Sequence, residues 1–174
     1  MNRARTVGPG RYNDTPATGL LGSPGQGLAC LREILTEIRL MTAALALGVA
    51  RAAFEDARAY AAERQQFGRP ICKFQAVQAH LAEMAVDLEA ARRLTWWSAQ
   101  RSDRGLPNAN EAAMAKLFAS EAGLRVCERA ARILASYGYA TEYPVERYLR
   151  DIRFTLIGGG TSEILRINIA KGLY

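Results

Sequence analysis

A run of three glycines followed by two hydroxyl residues, Gly158-Gly159-Gly160-Thr161-Ser162, is the segment of this chain best suited to hold a ligand. Glycine lets a backbone approach a ligand closely, and a helix that begins at Thr161 would point unpaired N–H groups and its positive dipole end at it. No Gly-Lys-Ser/Thr follows, so the run is not a P-loop. It indicates either a site for an anionic or pyrophosphate-bearing cofactor or a plain glycine turn before a helix.

A second segment, Glu63-Arg-Gln-Gln-Phe-Gly-Arg-Pro70, places two arginines and an aromatic residue at the end of a predicted helix. Arg64 could grip a phosphate there, and Phe67 could stack on a ring. The same residues also fit a charged helix end before a turn. The residue types alone leave both interpretations open.

The single histidine and the three cysteines argue against a metal site. His80 without clustered thiols cannot supply the usual zinc ligands, and no nucleophile-elbow sequence accompanies it for a catalytic triad, so a structural histidine is favoured. Cys30, Cys72 and Cys127 lack Cys-x-x-Cys spacing. We expect three reduced, buried thiols in a cytoplasmic protein.

The net charge of +6 raises nucleic-acid binding as an alternative. The arginines, however, are spread over every segment and interleaved with acids, which is typical of solvated helix faces with one anion site. We therefore expect no nucleic-acid partner. The longest apolar stretch, Met41 to Ala50, is about half of the ~20 residues that a membrane span needs, so we expect no membrane insertion.

The elements that would position these segments are helices. Residues 1–27 are rich in glycine and proline and predict an irregular lead-in, whereas residues 28–174 predict one helical domain. Apolar residues at three- and four-residue steps predict a first helix that ends near Arg64. Its expected core stripe is Leu31, Ile34, Leu35, Ile38, Met41, Leu45, Val49 and Ala52.

The rest of the chain predicts four more helices. A second helix closes near Gly105, and Asn108 or Asn110 caps a third that ends at Gly138. Pro144 opens a short helix through about Arg150, and Thr161 or Ser162 caps a last one through Lys171. Three long antiparallel helices with short connections, completed by shorter ones, predict an all-α, up-and-down four-helix bundle.

Several motifs occur in a characteristic order, namely Glu63–Pro70 with Phe74–Gln78, Met114–Glu121, Tyr137–Tyr139 with Glu142–Arg147, and Arg150-Asp151 with Gly160–Ile164. Together they resemble the C-terminal helical domain of the acyl-CoA dehydrogenases over residues 20–174. Residues 21–27 resemble the stretch that joins the family's middle β-domain to this bundle. The resemblance implies oxidation of an acyl-CoA thioester at its α and β carbons, with FAD as the hydride acceptor.

The resemblance also implies roles for individual residues. Arg64 and Phe67 would contact the FAD of a partner subunit, and Gln75 would lie on its adenine-dinucleotide side. Tyr137 and Gly138 would form a turn at the same cofactor. Thr161 and Glu163 would lie beside the phosphates and adenosine of the flavin. Arg39 matches an arginine of the first helix near the active site, on the substrate side.

The chain departs from the family's pattern at the catalytic base. Most members place a glutamate immediately before Gly-Thr-Ser, where this chain has Gly159, and the isovaleryl-type members use a first-helix position that is Ile38 here. Neither residue can abstract a proton. Glu37 is the remaining candidate base, although one residue turns a helical side chain by about 100°. The turn before Tyr137 contains Ala135 where the family prefers glycine.

The family's N-terminal helical and middle β-domains have no counterpart in this sequence. We therefore expect that the chain is not competent alone, because an exposed flavin reacts with water and oxygen. The expected partners are further copies in a dimer or tetramer or a complementing acyl-CoA dehydrogenase subunit, with acyl-CoA and FAD bound in the assembly. The alternative is a non-catalytic helical oligomerisation domain.

Overall fold

The structure, a computed structural model, describes residues 10–11, 13–16, 19–20 and 22–174. Its five helices are α1 (Gly27–Glu63), α2 (Gln75–Asp103), α3 (Ala109–Leu134), α4 (Val145–Thr155) and α5 (Ser162–Lys171). Strands β1 (Gln65–Gln66) and β2 (Arg69–Pro70) pair antiparallel between α1 and α2, and 3₁₀ turns span Ile71–Lys73 and Ala135–Gly138. The predicted all-α bundle is confirmed. The predicted lead-in of residues 1–27 lies partly outside the described residues.

Helix α3 is the centre of the bundle and contacts each of the other four helices. Many side chains of α3 are buried, and most of these are small, so the neighbouring helices can approach it closely. A Cβ atom on Gly123, for example, would lie 2.8 Å from Cδ1 of Ile152 on α4. Helices α1 and α2 pack on α3 along their length, and α4 and α5 cover its remaining sides.

The expected core stripe of α1 is wrong, since none of its residues is fully buried. Large side chains that were expected inside lie exposed, Met41 to 69% and Ile34 to 55%. The buried residues of α1 form a different stripe made of small side chains, namely Thr42, Ala43, Ala46, Ala50, Ala53, Ala57 and Ala61. These alanines, spaced by three or four residues, pack against α3, so the exposed large apolar residues of α1 face away from the bundle core.

Most helix ends follow the sequence closely, but three details differ. Helix α3 ends at Leu134 and not at the predicted Gly138, because the chain tightens into the 3₁₀ turn Ala135–Gly138. Asn108 lies at the start of α3 as expected, but its Oδ1 accepts a 3.0 Å hydrogen bond from Ser98 Oγ and caps no helical N–H. Helix α4 continues past the predicted end at Arg150 to Thr155. This last turn is held on α3, because Ser120 Oγ donates a 2.9 Å hydrogen bond to the Thr155 carbonyl.

Other expectations concern cysteine, histidine and membrane segments. Cys127 is buried and Cys72 half-buried, but Cys30 is exposed, so the expectation of three buried thiols is wrong for Cys30. The Nδ1 atom of His80 has no hydrogen-bond partner among the described residues. Over that same part of the chain, no helix is long and apolar enough to cross a membrane, and no group of His, Cys, Asp and Glu is arranged for a metal ion.

Candidate functional site

The connection from α4 to α5, called here the glycine loop (residues 156–161), turns sharply over α1 and α3. The Gly158 N–H donates to the Phe154 carbonyl at 2.9 Å, and the Gly160 N–H donates to the Ile157 carbonyl at 3.2 Å. Gly159 has φ of +74° and Gly160 has φ of +113°, conformations that residues with side chains rarely adopt. The glycines are therefore required by the turn itself.

Two cations from different helices hold the glycine loop. Nε of Arg39, on α1, donates to the Gly159 carbonyl at 3.3 Å, and Nζ of Lys116, on α3, donates to the Gly160 carbonyl at 2.6 Å. Lys116 is completely buried, at 0% exposure, and Arg39 is half-buried. Within residues 22–174 neither cation forms an ion pair with a carboxylate. The loop thus lies on two positive charges with which no carboxylate of the described residues is in direct contact.

The electrostatics of this pair follow from its burial. Desolvation lowers the pKa of the Lys116 ammonium to about 8, and the nearby charge of Arg39 lowers it further, against the opposing effect of Glu121 and Glu163. Desolvation also lowers the pKa of Arg39. Glu121 is already paired with Arg166 at 2.8 Å. The positive end of the α5 dipole adds to the same field.

The two positions at which the resemblance implies a catalytic base, residues 38 and 159, face each other. A Cβ atom on Gly159 would lie 3.4 Å from Cγ2 of Ile38, 3.5 Å from Oγ1 of Thr42 and 3.7 Å from Cγ of Arg39. A glutamate at either position would therefore reach the same space. In this chain that space is bordered by a methyl group, a hydroxyl and the stem of an arginine.

Glu37, the remaining candidate base, lies elsewhere. Its Oε1 accepts a 3.2 Å hydrogen bond from Ser102 Oγ, near the C-terminal end of α2. Gly159 faces Ile38 and Thr42, which lie on another side of α1. The structure brings Glu37 together with Ser102 and not with the glycine loop.

Thr161 and Glu163 begin α5 directly after the glycine loop. The Thr161 hydroxyl accepts a hydrogen bond from the Ile164 N–H at 3.5 Å, which confirms Thr161 as the N-cap. The backbone N–H of Glu163 and then the Thr161 hydroxyl lower the pKa of the exposed Glu163 carboxyl. The side-chain oxygen of Ser162 is buried without a hydrogen-bond partner among the described residues.

A second cluster lies at the turn between α1 and α2. Arg64 is exposed and forms no ion pair within the described part of the chain, and Gln75 is exposed as the first residue of α2. Phe67 is 91% exposed with φ of +52°, and its ring lies 6.2 Å from that of Phe74. The Arg69 guanidinium lies 4.3 Å above the Phe74 ring. The turn therefore presents cationic and aromatic groups to the outside.

Tyr137 and Gly138 lie at this same end of the bundle. The Tyr137 ring lies 6.1 Å from Tyr60, about one helical turn before the end of α1. A Cβ atom on Gly138 would lie 2.4 Å from the Ala131 carbonyl oxygen, so only glycine fits. Ala135 has φ of +54° at the position where the family prefers glycine, so the backbone keeps a conformation suited to that residue.

The predicted site residues thus divide into two clusters on one chain. Arg39 and Arg64 are separated by 25 positions of the continuous helix α1, which corresponds to ~37 Å at about 1.5 Å per residue. The structure joins Arg39, Thr161 and Glu163 at the glycine loop. It joins Arg64, Phe67, Gln75, Tyr137 and Gly138 at the opposite end.

Sequence reasoning missed one residue of the glycine-loop site, Lys116. The signal was present, because Lys116 lies within Ala-Ala-Met-Ala-Lys, an otherwise small and apolar part of α3. A lysine in such a position is almost never fully buried unless it has a partner. Here that partner is a loop carbonyl, which no local pattern reveals.

Comparison with known proteins identifies the family to which this domain belongs. The family profile described as the acyl-CoA dehydrogenase C-terminal domain matches residues 25–174. Benzylmalonyl-CoA dehydrogenase of Aromatoleum aromaticum is 60% identical over 147 residues, which cover 84% of this chain and 39% of that protein. The human mitochondrial short-chain specific acyl-CoA dehydrogenase is 46% identical over 158 residues, covering 91% of this chain and 38% of that enzyme.

The fold agrees with the sequences. The solved structure of butyryl-CoA dehydrogenase from Megasphaera elsdenii superposes with a TM-score of 0.88 at 41% identity, covering 91% of this chain and 41% of that one. The chain spans about two fifths of the relatives that it matches. It belongs to the acyl-CoA dehydrogenase family, of which it is the C-terminal helical domain.

Proposed function

We propose that this chain is the C-terminal part of an FAD-dependent enzyme that oxidises an acyl-CoA thioester at its α and β carbons, active only in an assembly that supplies the rest of the site. The observation that carries the proposal is the division of the cofactor-type residues into two clusters ~37 Å apart along α1. One cofactor can contact both kinds of cluster only when they come from different copies or subunits.

The residues present fit an anionic, aromatic cofactor. Arg64 offers a guanidinium without an ion pair among the described residues, and Phe67 offers a ring that is almost fully exposed. The cluster is completed by the exposed residues Gln75 and Tyr137 and by the buried Gly138. At the glycine loop, Thr161 and the first N–H groups of α5 suit phosphate oxygens. FAD, when bound, supplies the acceptor for the hydride of the β carbon.

The assembly that we propose is a dimer or tetramer of this domain, or a complex with a complementing acyl-CoA dehydrogenase subunit. The outward-facing side chains of α1, among them Ile34, Met41 and Leu45, form apolar surface of the kind that protein interfaces cover. The free thiols fit a reducing compartment, so we place the protein in the cytoplasm.

The substrate that we propose carries a free carboxylate in addition to its thioester group. The 60% identical relative is named for benzylmalonyl-CoA, a thioester with a carboxylate on its α carbon. This chain places Arg39 at the corresponding loop and no acid at Ile38 or Gly159. An α-carboxylated acyl-CoA is therefore the substrate class that the site suits best.

A second candidate function is a non-catalytic oligomerisation domain. It is favoured by one observation, the absence of a carboxylate from both usual base positions, Ile38 and Gly159. Such a domain would keep the bundle and its interfaces and would not need to retain flavin.

Flavin retention separates the two candidates. The purified chain, alone and combined with the family's other two domains, is incubated with FAD, passed through gel filtration and measured by its visible absorption. We expect an oligomer that retains flavin. Arg64→Ala should weaken FAD binding about tenfold or more, because a charge-assisted hydrogen bond is lost. The thermal midpoint should not change, since Arg64 is exposed.

Arg58→Ala is the matched control, an exposed arginine of the same helix outside the turn. Its flavin retention should equal that of the unaltered chain. An oligomer that retains no flavin in either preparation would favour the oligomerisation domain. Equal retention by Arg64→Ala would remove the role assigned to Arg64.

A further inference from the structure

The carbonyl of Gly160 is held from inside the bundle, and this hold fixes the direction of the N–H group that follows it. We propose that Lys116 is a positioning residue of the cofactor site, which turns the backbone N–H of Thr161 outward to a phosphate oxygen of FAD. The inference rests on the proposed function and gives a role to a residue that does not itself touch the cofactor.

The first argument is the geometry of one peptide group. The Lys116 side chain is completely buried, and its Nζ donates a 2.6 Å hydrogen bond to the Gly160 carbonyl. The described residues contain no cis peptide bond, so the peptide between Gly160 and Thr161 is planar and trans, and its N–H points opposite to its C=O. Because the carbonyl faces the buried ammonium, the Thr161 N–H points away from the core.

The second argument is that this N–H is available to a ligand. Among the described residues the Thr161 N–H has no hydrogen-bond partner, whereas the neighbouring Gly160 N–H donates to the Ile157 carbonyl at 3.2 Å. Thr161 directly precedes α5, whose first N–H groups and positive dipole end favour an anion. The outward N–H therefore adds one more donor to the groups that suit a phosphate oxygen.

The third argument is that the loop by itself does not fix this peptide. Gly159 and Gly160 both have positive φ, and glycine leaves the backbone free to rotate. Arg39 holds the preceding carbonyl, that of Gly159, at 3.3 Å. Over residues 22–174, Lys116 is the only side chain that bonds to the peptide between Gly160 and Thr161. Lys116 therefore selects the orientation of that peptide.

The charge of Lys116 strengthens the effect of its position. A cation bound to a carbonyl oxygen polarises the peptide and makes the N–H of that peptide a stronger donor. The charged groups that act on Lys116 are Arg39 on α1, Glu121 on α3 and Glu163 on α5, and α4 brings the uncharged Thr155 to this part of α3.

This charge can be removed by a moderate rise in pH. Desolvation, followed by the charge of Arg39, lowers the pKa of Lys116 to about 8. Carboxylates and guanidinium groups keep their charge between about pH 7 and 9.5. Lys116 is therefore the member of this cluster that changes charge in that interval.

The test measures the FAD affinity of the flavin-free assembly of the full chain with the family's other two domains. At pH 7, Lys116→Met should bind FAD about tenfold more weakly than the unaltered assembly, since the charge-assisted hold on the loop is lost. Between about pH 7 and 9.5 this ratio should shrink to about twofold, because Lys116 becomes a neutral amine. Groups that titrate equally in both assemblies cancel in the ratio.

Ser120→Ala is the matched control. Ser120 lies about one turn after Lys116 on α3, is equally buried, and donates to another backbone carbonyl, that of Thr155, at 2.9 Å. This contact carries no charge and does not involve the peptide between Gly160 and Thr161. Ser120→Ala should lower the stability of the bundle, keep the FAD affinity within about twofold and leave its pH dependence unchanged. Two residues with merely structural roles would behave alike.

Amide hydrogen exchange of the chain alone gives a readout that needs no flavin. The Gly160 N–H is hydrogen-bonded within the loop, to the Ile157 carbonyl. In Lys116→Met it should exchange about tenfold faster than in the unaltered chain, because local opening of the loop becomes easier. In Ser120→Ala its exchange should stay the same.

The outcomes distinguish the inference from the function on which it rests. An unaltered assembly that binds no FAD overturns the proposed function and with it the cofactor role of Lys116. Bound FAD with equal affinity in Lys116→Met, or with an affinity ratio that does not vary with pH, overturns the inference alone. An equal loss of affinity in Ser120→Ala, or unchanged exchange of the Gly160 amide in Lys116→Met, also overturns it.

Discussion

The buried ammonium of Lys116 makes the stability of this bundle depend on pH in a calculable way. Lys116→Met keeps the side-chain length and removes the charge, so the difference in unfolding free energy between the chain and this variant isolates the titration of one group. Other groups titrate equally in both proteins and cancel.

The magnitude follows from the pKa. An ordinary lysine has a pKa of 10.5, and burial lowers that of Lys116 to about 8. Each unit is worth roughly 1.4 kcal/mol, so the folded state bears a cost of about 3 kcal/mol while the ammonium is charged. Below pH 8 both states are protonated and the full cost applies. Between about pH 8 and 10.5 only the unfolded state holds the proton, so stability rises with pH and the cost disappears.

The assay is urea unfolding of the unaltered chain and Lys116→Met at several pH values from 7 to 10.5. We expect the unaltered chain to gain about 3 kcal/mol relative to the variant across this interval. The packing change and the lost hydrogen bond to Gly160 add a constant offset and leave the slope untouched. A difference that does not vary with pH would show that Lys116 keeps an ordinary pKa, and the argument for a desolvated cation pair would fail.

Two further predictions concern stability and thiol reactivity. Ala135→Gly should stabilise the chain by about 1–2 kcal/mol in urea unfolding, because Ala135 has φ of +54°, and an equal or lower stability would show that its backbone bears no strain. Burial raises the pKa of the Cys127 thiol to about 12, so Cys127 should react with a thiol reagent at pH 8 only after denaturation. The exposed Cys30 should react at once. Rapid labelling of Cys127 in the folded chain would contradict its burial.

The helices and most of their ends could be predicted because the signals are local. Thr161 caps α5 through its own hydroxyl, and Pro144 directly precedes α4. The end of α4 could not be predicted, since it depends on a distant partner. Ser120 on α3 binds the Thr155 carbonyl and extends α4 beyond Arg150.

The core face of α1 could not be read from periodicity. Large apolar residues such as Ile34 and Met41 recur at helical spacing, but so do the alanines that pack on α3. Periodicity reports that a helix has an apolar face and not what covers it. The exposed large side chains of α1 are the surface that the proposed assembly would cover, and their burial by other domains or subunits would explain why periodicity alone placed them in the core.

The glycine loop shows the opposite relation between sequence and site. Its composition suggests an anion site, yet the glycines themselves only meet the backbone requirements of the turn. The positive charge comes from Arg39 and Lys116, which are 77 positions apart in the sequence and meet only through the carbonyls of Gly159 and Gly160.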